Sequence, residues 1–163
     1  MHYNWRLADG NDVPSMVAMA QTHFEREIDN IFTPDPVAYS RNLTLAVVNT
    51  FFCPNNVRVA VCNNDANVLL AYTWCVSGEV APWSDDPMVL VKMAHVDLDL
   101  STRIRLKLLD NMFDIWDKFA IQSRTPIICS TTMRHDQSAF LKMHSKRGWD
   151  VRGSYAYKKI TLV

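Results

Sequence analysis

At 163 residues and 48% apolar content, the chain is long enough for one domain with a real core and too apolar to be disordered. Its 17 Lys and Arg balance its 17 Asp and Glu, and this zero formal charge argues against a nucleic-acid binder that works through bulk charge. No apolar run approaches the length of a membrane span, no leader-like stretch follows Met1-His2-Tyr3-Asn4-Trp5-Arg6, and Cys53, Cys62, Cys75 and Cys129 lack the CxxC pairing of a metal or disulfide framework, so buried reduced thiols in a cytosolic protein are expected.

His2 to Leu7 reads as a short first strand and Ala8 to Asp12 as a turn. Asp12 is placed to cap a helix from Val13, with Pro14 in its first turn and Met16, Val17, Met19, Ala20 and Phe24 on its apolar side. Asp35 followed by Pro36 starts a second helix, through about Val48, with Tyr39, Leu43 and Val47 inward. Val57 to Cys62 alternates as a strand, Asn63 to Asn67 has hairpin-turn composition, and Val68 to Val76 returns. Ser77 to Pro87 reads as a loop carrying Gly78, Glu79, Trp83, Asp85 and Asp86.

The run Met88 to Val96 is typical of a strand buried on both faces. The polar turn Asp97 to Ser101 leads into a helix from Thr102 to Ala120. Ile104, Leu108, Met112, Ile115, Trp116 and Phe119 form its buried face, and Ser101 is its expected N-cap. A helix start of this kind has free backbone N–H groups and favours an anion. Pro126 to Thr132 reads as another buried strand, Asp136 to Lys146 as a short helix ended by Gly148, and Trp149 to Arg152 with Tyr155 to Leu162 as a closing hairpin. The expected architecture is a single α/β domain over residues 1–163: a mixed central sheet of about seven strands with helices on both faces and a parallel crossover from Met88 to Thr132.

Two helices after strand one, an antiparallel middle, then strand–helix–strand–helix–strand: this order resembles the GNAT superfamily of acetyl-CoA-dependent N-acetyltransferases over nearly the whole chain. The segment Gln137 to Trp149 is similar to the family's helix that has an Asn near its start, a Tyr in its last turn and Gly-Phe after it. Gln137 stands at the Asn position, His144 at the Tyr position and Gly148-Trp149 at Gly-Phe. Gly153 to Lys159 resembles the last strand. The sequence style is also similar to GNAT-like proteins of tailed phages, some of which accompany virion genes. The sequence departs from the family at the pyrophosphate loop, Gln/Arg-x-x-Gly-x-Gly/Ala. The matching stretch is Leu100-Ser101-Thr102-Arg103-Ile104-Arg105-Leu106, and no glycine stands between Gly78 and Gly148. Thr102, Ile104 and Leu106 are expected to occupy space that the glycines leave open for phosphate.

The resemblance implies acetyl-CoA as cofactor, held by Val96, Ser101, Thr102, Arg103, Arg105 and Gln137, with Met93 to His95 backbone N–H groups on the thioester oxygen. His144 takes the family Tyr's role of general acid, or is a structural His at a helix end. His95 and Asp97 deprotonate an amine, or are a satisfied core His and a turn Asp. Glu79 and Trp83 contact the acceptor, or Glu79 is simply solvated. Arg134-His135-Asp136 is a possible small site near the last helix. Two functions follow. One is acyl transfer to a small-molecule or protein amine in the cytoplasm. The other is a non-catalytic GNAT fold with protein partners in an assembly such as a virion, since fold does not dictate function. Neither needs a nucleic acid, a membrane or a metal.

Overall fold

The computed structural model of the protein describes residues 3–28, 32–153, 156, 158, 160 and 161. Its elements are β1 (Asn4–Leu7), α1 (Val13–Glu27), α2 (Pro36–Phe52), β2 (Val57–Asn63), β3 (Leu69–Val80), β4 (Pro87–Val96), α3 (Thr102–Ser123), β5 (Ile127–Ser130) and α4 (Ser138–Lys146). The strands lie in sequence order in one sheet. β1 to β4 pair antiparallel, and β5 joins β4 in parallel.

Successive strand side chains point to opposite faces, and two cores result. On one face Val59, Val61 and Tyr72 pack with Met16 of α1 and Leu43 and Val47 of α2. On the other, Cys62, Ala71, Cys75 and Val89 pack with Leu108, Met112, Phe113 and Trp116 of α3 and Phe140 of α4. Trp116 is fully buried, and its indole Nε1–H donates to Thr73 Oγ1 at 2.9 Å, which ties α3 to the middle of the sheet.

Several boundaries differ from the sequence expectation. Five strands are present among the described residues, where about seven were expected. Of the expected closing hairpin, residues 154, 155, 157, 159 and 162 lie outside the described residues, and the described remainder carries no strand. β3 runs on to Val80, so Glu79 is in a strand. Val76 pairs with Leu90 and Glu79 with Met88, a bulge that Gly78 absorbs at φ +91°. A glycine read as a loop signal is thus a bulge residue. β5 is four residues long, since Thr131 and Thr132 leave the sheet, and it is only half-buried at the edge of the described sheet.

Asp35 caps α2 as expected, accepting from Ala38 N–H at 2.9 Å. Asp12 makes no side-chain cap to α1. Its carboxylate instead accepts from Arg6 Nη1 and Nη2 at 2.7 Å and from the Asp9 N–H at 2.9 Å, which fastens β1 to the first turn. Gly148 at φ +79° follows α4, and Trp149 N–H returns to His144 C=O at 3.1 Å.

Candidate functional site: a fork between two parallel strands

β4 and β5 pair only from Met88–Ile127 to Val91–Ser130. β4 continues to Val96 without a partner on that edge, so the two parallel strands part after Val91. The same point carries a bulge on the other edge of β4. Cys75 pairs with Val91 and Trp74 with Met93, and Lys92 is left over. Met93 C=O faces β3, where it accepts from Thr73 Oγ1 at 2.8 Å. Ala94 and Val96, two residues apart, turn their backbone groups to the free edge. Both of their carbonyls are already occupied: Ala94 C=O by Arg134 Nη2–H and Val96 C=O by His23 Nε2–H at 2.8 Å.

Arg134 comes from the segment between β5 and α4. Its Nε forms an ion pair with Glu27 Oε2 at 2.9 Å, and its guanidinium lies 5.3 Å from the Phe140 ring centroid. It therefore spans the fork. Beside it a cavity of about 110 Å³ remains, lined by Lys92, Met93, His95 and Thr132 among others.

α1 closes one side. His23 is 1% exposed. Its Nδ1 meets Glu27 Oε2 at 2.9 Å, and its ring stacks on His95 with centroids 4.2 Å apart and planes 10° apart. The hydrogen bond from His23, with Arg134 alongside, holds the Glu27 carboxyl below its ordinary range against the effect of burial. His95 pairs with Tyr72 across β4 and β3, and its Nδ1 lies 2.8 Å from Tyr72 Oη. Tyr72 Oη lies 2.7 Å from Tyr39 Oη on α2. Burial first, then the charges of His23 and Arg134, keep His95 well below the ordinary histidine value. Burial also pushes the Tyr39 phenol up to about 12 and holds Tyr72 well above its usual value, so this is a chain of neutral groups. It runs from the fork to a second hollow of about 180 Å³ between α1 and α2, lined by Phe24, Phe32, Asp35 and Tyr39. Phe24 borders both cavities.

The other expected site residues separate into groups. Ser101 is at the N-cap position of α3, without a side-chain cap bond. Ser101, Thr102 and Arg103 are exposed, Ile104 packs on the core, and Leu106 lines an outer groove with Arg103 and Lys107. The residue standing in the fork is Arg134. Arg105 is half-buried, adds to the field on Glu27, and has its Nε buried without a partner. Ser130 Oγ, where the strands part, is the same. Val96 contributes its carbonyl, as above. Asp97 makes the turn: its N–H goes to Leu70 C=O and its Oδ1 accepts Asp99 N–H. Gln137 stands exposed at the N-cap position of α4.

His144 is enclosed. Its Nδ1–H donates to Phe140 C=O at 2.8 Å, its Nε2 is buried without a partner, and Phe113, Phe140 and Trp149 rings surround it at 4.5–4.8 Å. Burial lowers its basicity. It does not border the fork cavity. Glu79 and Trp83 are also apart. They lie at the hairpin end of β4, opposite His95 and Val96; Glu79 pairs with Lys92 at 4.0 Å, and Trp83 is 87% exposed.

Sequence reading missed His23, Glu27 and the Tyr72–Tyr39 link. One signal was available: Met16, Ala20, His23 and Glu27 share one face of α1 at helical spacing, so two titratable groups interrupt an apolar stripe.

Among the described residues no group of His, Cys, Asp and Glu could hold a metal, and no helix is long and apolar enough to cross a membrane. No protein-family model and no curated protein sequence matches the chain. Solved structures do. The aminoglycoside N-acetyltransferase AAC(6')-Iy in complex with CoA superposes with a TM-score of 0.72 at 9% identity, over 99% of this chain and 96% of that one. The aminoglycoside 6'-N-acetyltransferase AAC(6')-Ih from Acinetobacter baumannii gives 0.69 at 12%, over 99% and 100%. A predicted acetyltransferase from Clostridium acetobutylicum with acetyl-CoA gives 0.71 at 13%, over 97% and 96%. At such identities the likeness speaks for the fold alone, and it agrees with the forked sheet: the chain has the GNAT fold.

Proposed function

We propose that the protein transfers an acyl group from a coenzyme A thioester to an amine, with His95 as the proton acceptor. The observation that carries this reading is the unbroken His95–Tyr72–Tyr39 hydrogen-bond chain, which joins the fork to the hollow between α1 and α2.

The frame suits such a coenzyme. β4 has a free edge, α3 begins without a side-chain cap, Arg103 and Arg105 stand in its first turn, and two buried polar atoms, Arg105 Nε and Ser130 Oγ, await partners. Arg134 spans the fork with the end of its long side chain, which would have to move aside. Ala94 and Val96 N–H groups would hold the arm, and the N–H groups of Thr102 to Ile104 with Arg103 and Arg105 would hold its phosphates. When bound, the coenzyme supplies the activated acyl carbon. The chain supplies the proton path. His95 Nδ1 accepts from Tyr72 O–H, Tyr72 Oη accepts from Tyr39 O–H, and Tyr39 Oη is left to accept from an amine in the second hollow.

A second reading, a non-catalytic module in an assembly, is favoured by Arg134 itself, which already occupies the Ala94 carbonyl. Calorimetry with acetyl-CoA separates the two. Saturable binding on the order of micromolar supports the transferase, and absence of heat at about millimolar ligand leaves the module. If binding is seen, Ser101→Glu should abolish it by setting a negative charge at the α3 N-terminus. Unchanged affinity would put the coenzyme elsewhere.

A further inference from the structure

Three charged groups gather behind His95, and the proton-acceptor reading does not use them. His23 offers both ring nitrogens to acceptors: Val96 C=O at 2.8 Å and Glu27 Oε2 at 2.9 Å. A carbonyl oxygen never donates, and a carboxylate held between His23 and the Arg134 guanidinium is ionised. Each nitrogen of His23 therefore carries a hydrogen. The resulting imidazolium lies face to face with His95 at 4.2 Å.

We propose that Glu27 and His23 are a positioning pair for His95: the carboxylate holds the second proton on His23, and the stacked imidazolium keeps His95 neutral in the resting protein and sets its affinity for a further proton. The inference rests on the reading of His95 as the proton acceptor, and the arrangement itself is independent of any coenzyme. Like charges in contact raise the energy of the doubly charged stack, so the resting pair holds one extra proton, Glu27 decides which ring has it, and a second proton on His95 is held only weakly. The groups facing His95 are consistent with this. α1 brings His23 with Glu27 behind it, β3 brings the neutral Tyr72, α2 brings Tyr39 beyond that, and the segment after β5 brings the Arg134 cation. Among the described residues no carboxylate touches His95 to favour its charged form. His23 also clamps the Val96 carbonyl, so one residue fixes both the strand edge and the proton's location.

Ring-nitrogen NMR of the whole protein, without coenzyme, tests this. At neutral pH His23 should show two protonated ring nitrogens and His95 one. In Glu27→Gln the extra proton should leave His23, and the acid titration of His95 should move to higher pH. A singly protonated His23 in the wild type overturns the proposal, and so does a His95 titration identical in the two proteins. The wild-type spectrum decides alone if Glu27→Gln does not fold. Acyl transfer is a separate readout. The acid limb of kcat/KM should move upward in Glu27→Gln along with the NMR midpoint. The predicted spectra without any transfer would uphold the proton arrangement and remove the reaction.

Discussion

At the scale of single residues, the relay is a set of polar groups whose cost is met only while all of them are present. Tyr72 is fully buried and serves two partners through one oxygen. Tyr72→Phe leaves His95 Nδ1 without its donor and Tyr39 without its inner partner. Burying unpaired polar groups costs about 1–3 kcal/mol. Tyr39→Phe should cost less, since Tyr39 is partly exposed and Tyr72 keeps its bond to His95. Urea denaturation of the two variants should show this order, and equal losses would mean that the chain is not continuous. In a transfer assay, removing the proton acceptor with His95→Ala should slow turnover by roughly 10²–10⁴, the usual range for general-base catalysis. Unaltered turnover in that variant would assign the base elsewhere.

At the scale of elements, α4 is short, and its hold on the molecule comes mainly from side chains. Arg147 at its C-terminal end donates to Asp110 Oδ1 at 2.8 and 3.0 Å and to Asp114 Oδ1 at 3.0 Å, and stacks over Phe113 at 5.1 Å. The carboxylates are about half exposed, so solvent screening limits their worth. Arg147→Ala should therefore lower stability by only about 1 kcal/mol, and salt should narrow the gap to wild type. A salt-independent loss would point to the Phe113 contact instead. Elements of this kind are legible where periodicity is strong. The apolar run of β4 and the 3.6-residue stripe of α3 place both with little error, and the order of elements leads to the fold. The sequence is less legible where one residue serves two geometries. Gly78 reads as a loop and is a bulge. Asp12 reads as a cap and serves Arg6. The candidate site divides in the same way. His95 stands out as a polar residue on an apolar strand. The pairing of Glu27 with Arg134 joins residues 107 apart in sequence through tertiary packing, which no local pattern encodes. At the α3 start the helical stripe fixes Ile104 and Leu108 on the core and leaves Thr102 and Leu106 exposed.

At the scale of the whole molecule, the buried titratable groups set how the fold meets acid. His95 and His144 are neutral in the folded state, and burial is the leading cause for both. In the unfolded chain a histidine titrates near ~6.5. A folded value below that means the unfolded state binds more protons, so stability falls as pH drops below the unfolded value. Glu27 and Asp12 act with the same sign in a lower window. Glu27 is held down first by its hydrogen bond from His23. Asp12 is held down by Arg6 and the Asp9 N–H, which together outweigh burial. Both carboxylates contribute stability above their unfolded values of about 4, and lose it as pH falls through the folded ones. Acid should therefore weaken the protein in two stages, a first from about pH 6.5 downward as unfolded histidines charge, and a second below about pH 4 as carboxylates are neutralised. His144→Gln should shrink the first stage and spare the second, because the enclosed ring no longer has a proton to refuse. Urea midpoints taken across this range, with and without the substitution, read the two stages separately. A single decline confined to carboxylate pH, or an upper stage that His144→Gln leaves intact, would show that the aromatic enclosure around His144 does not exclude its charged form.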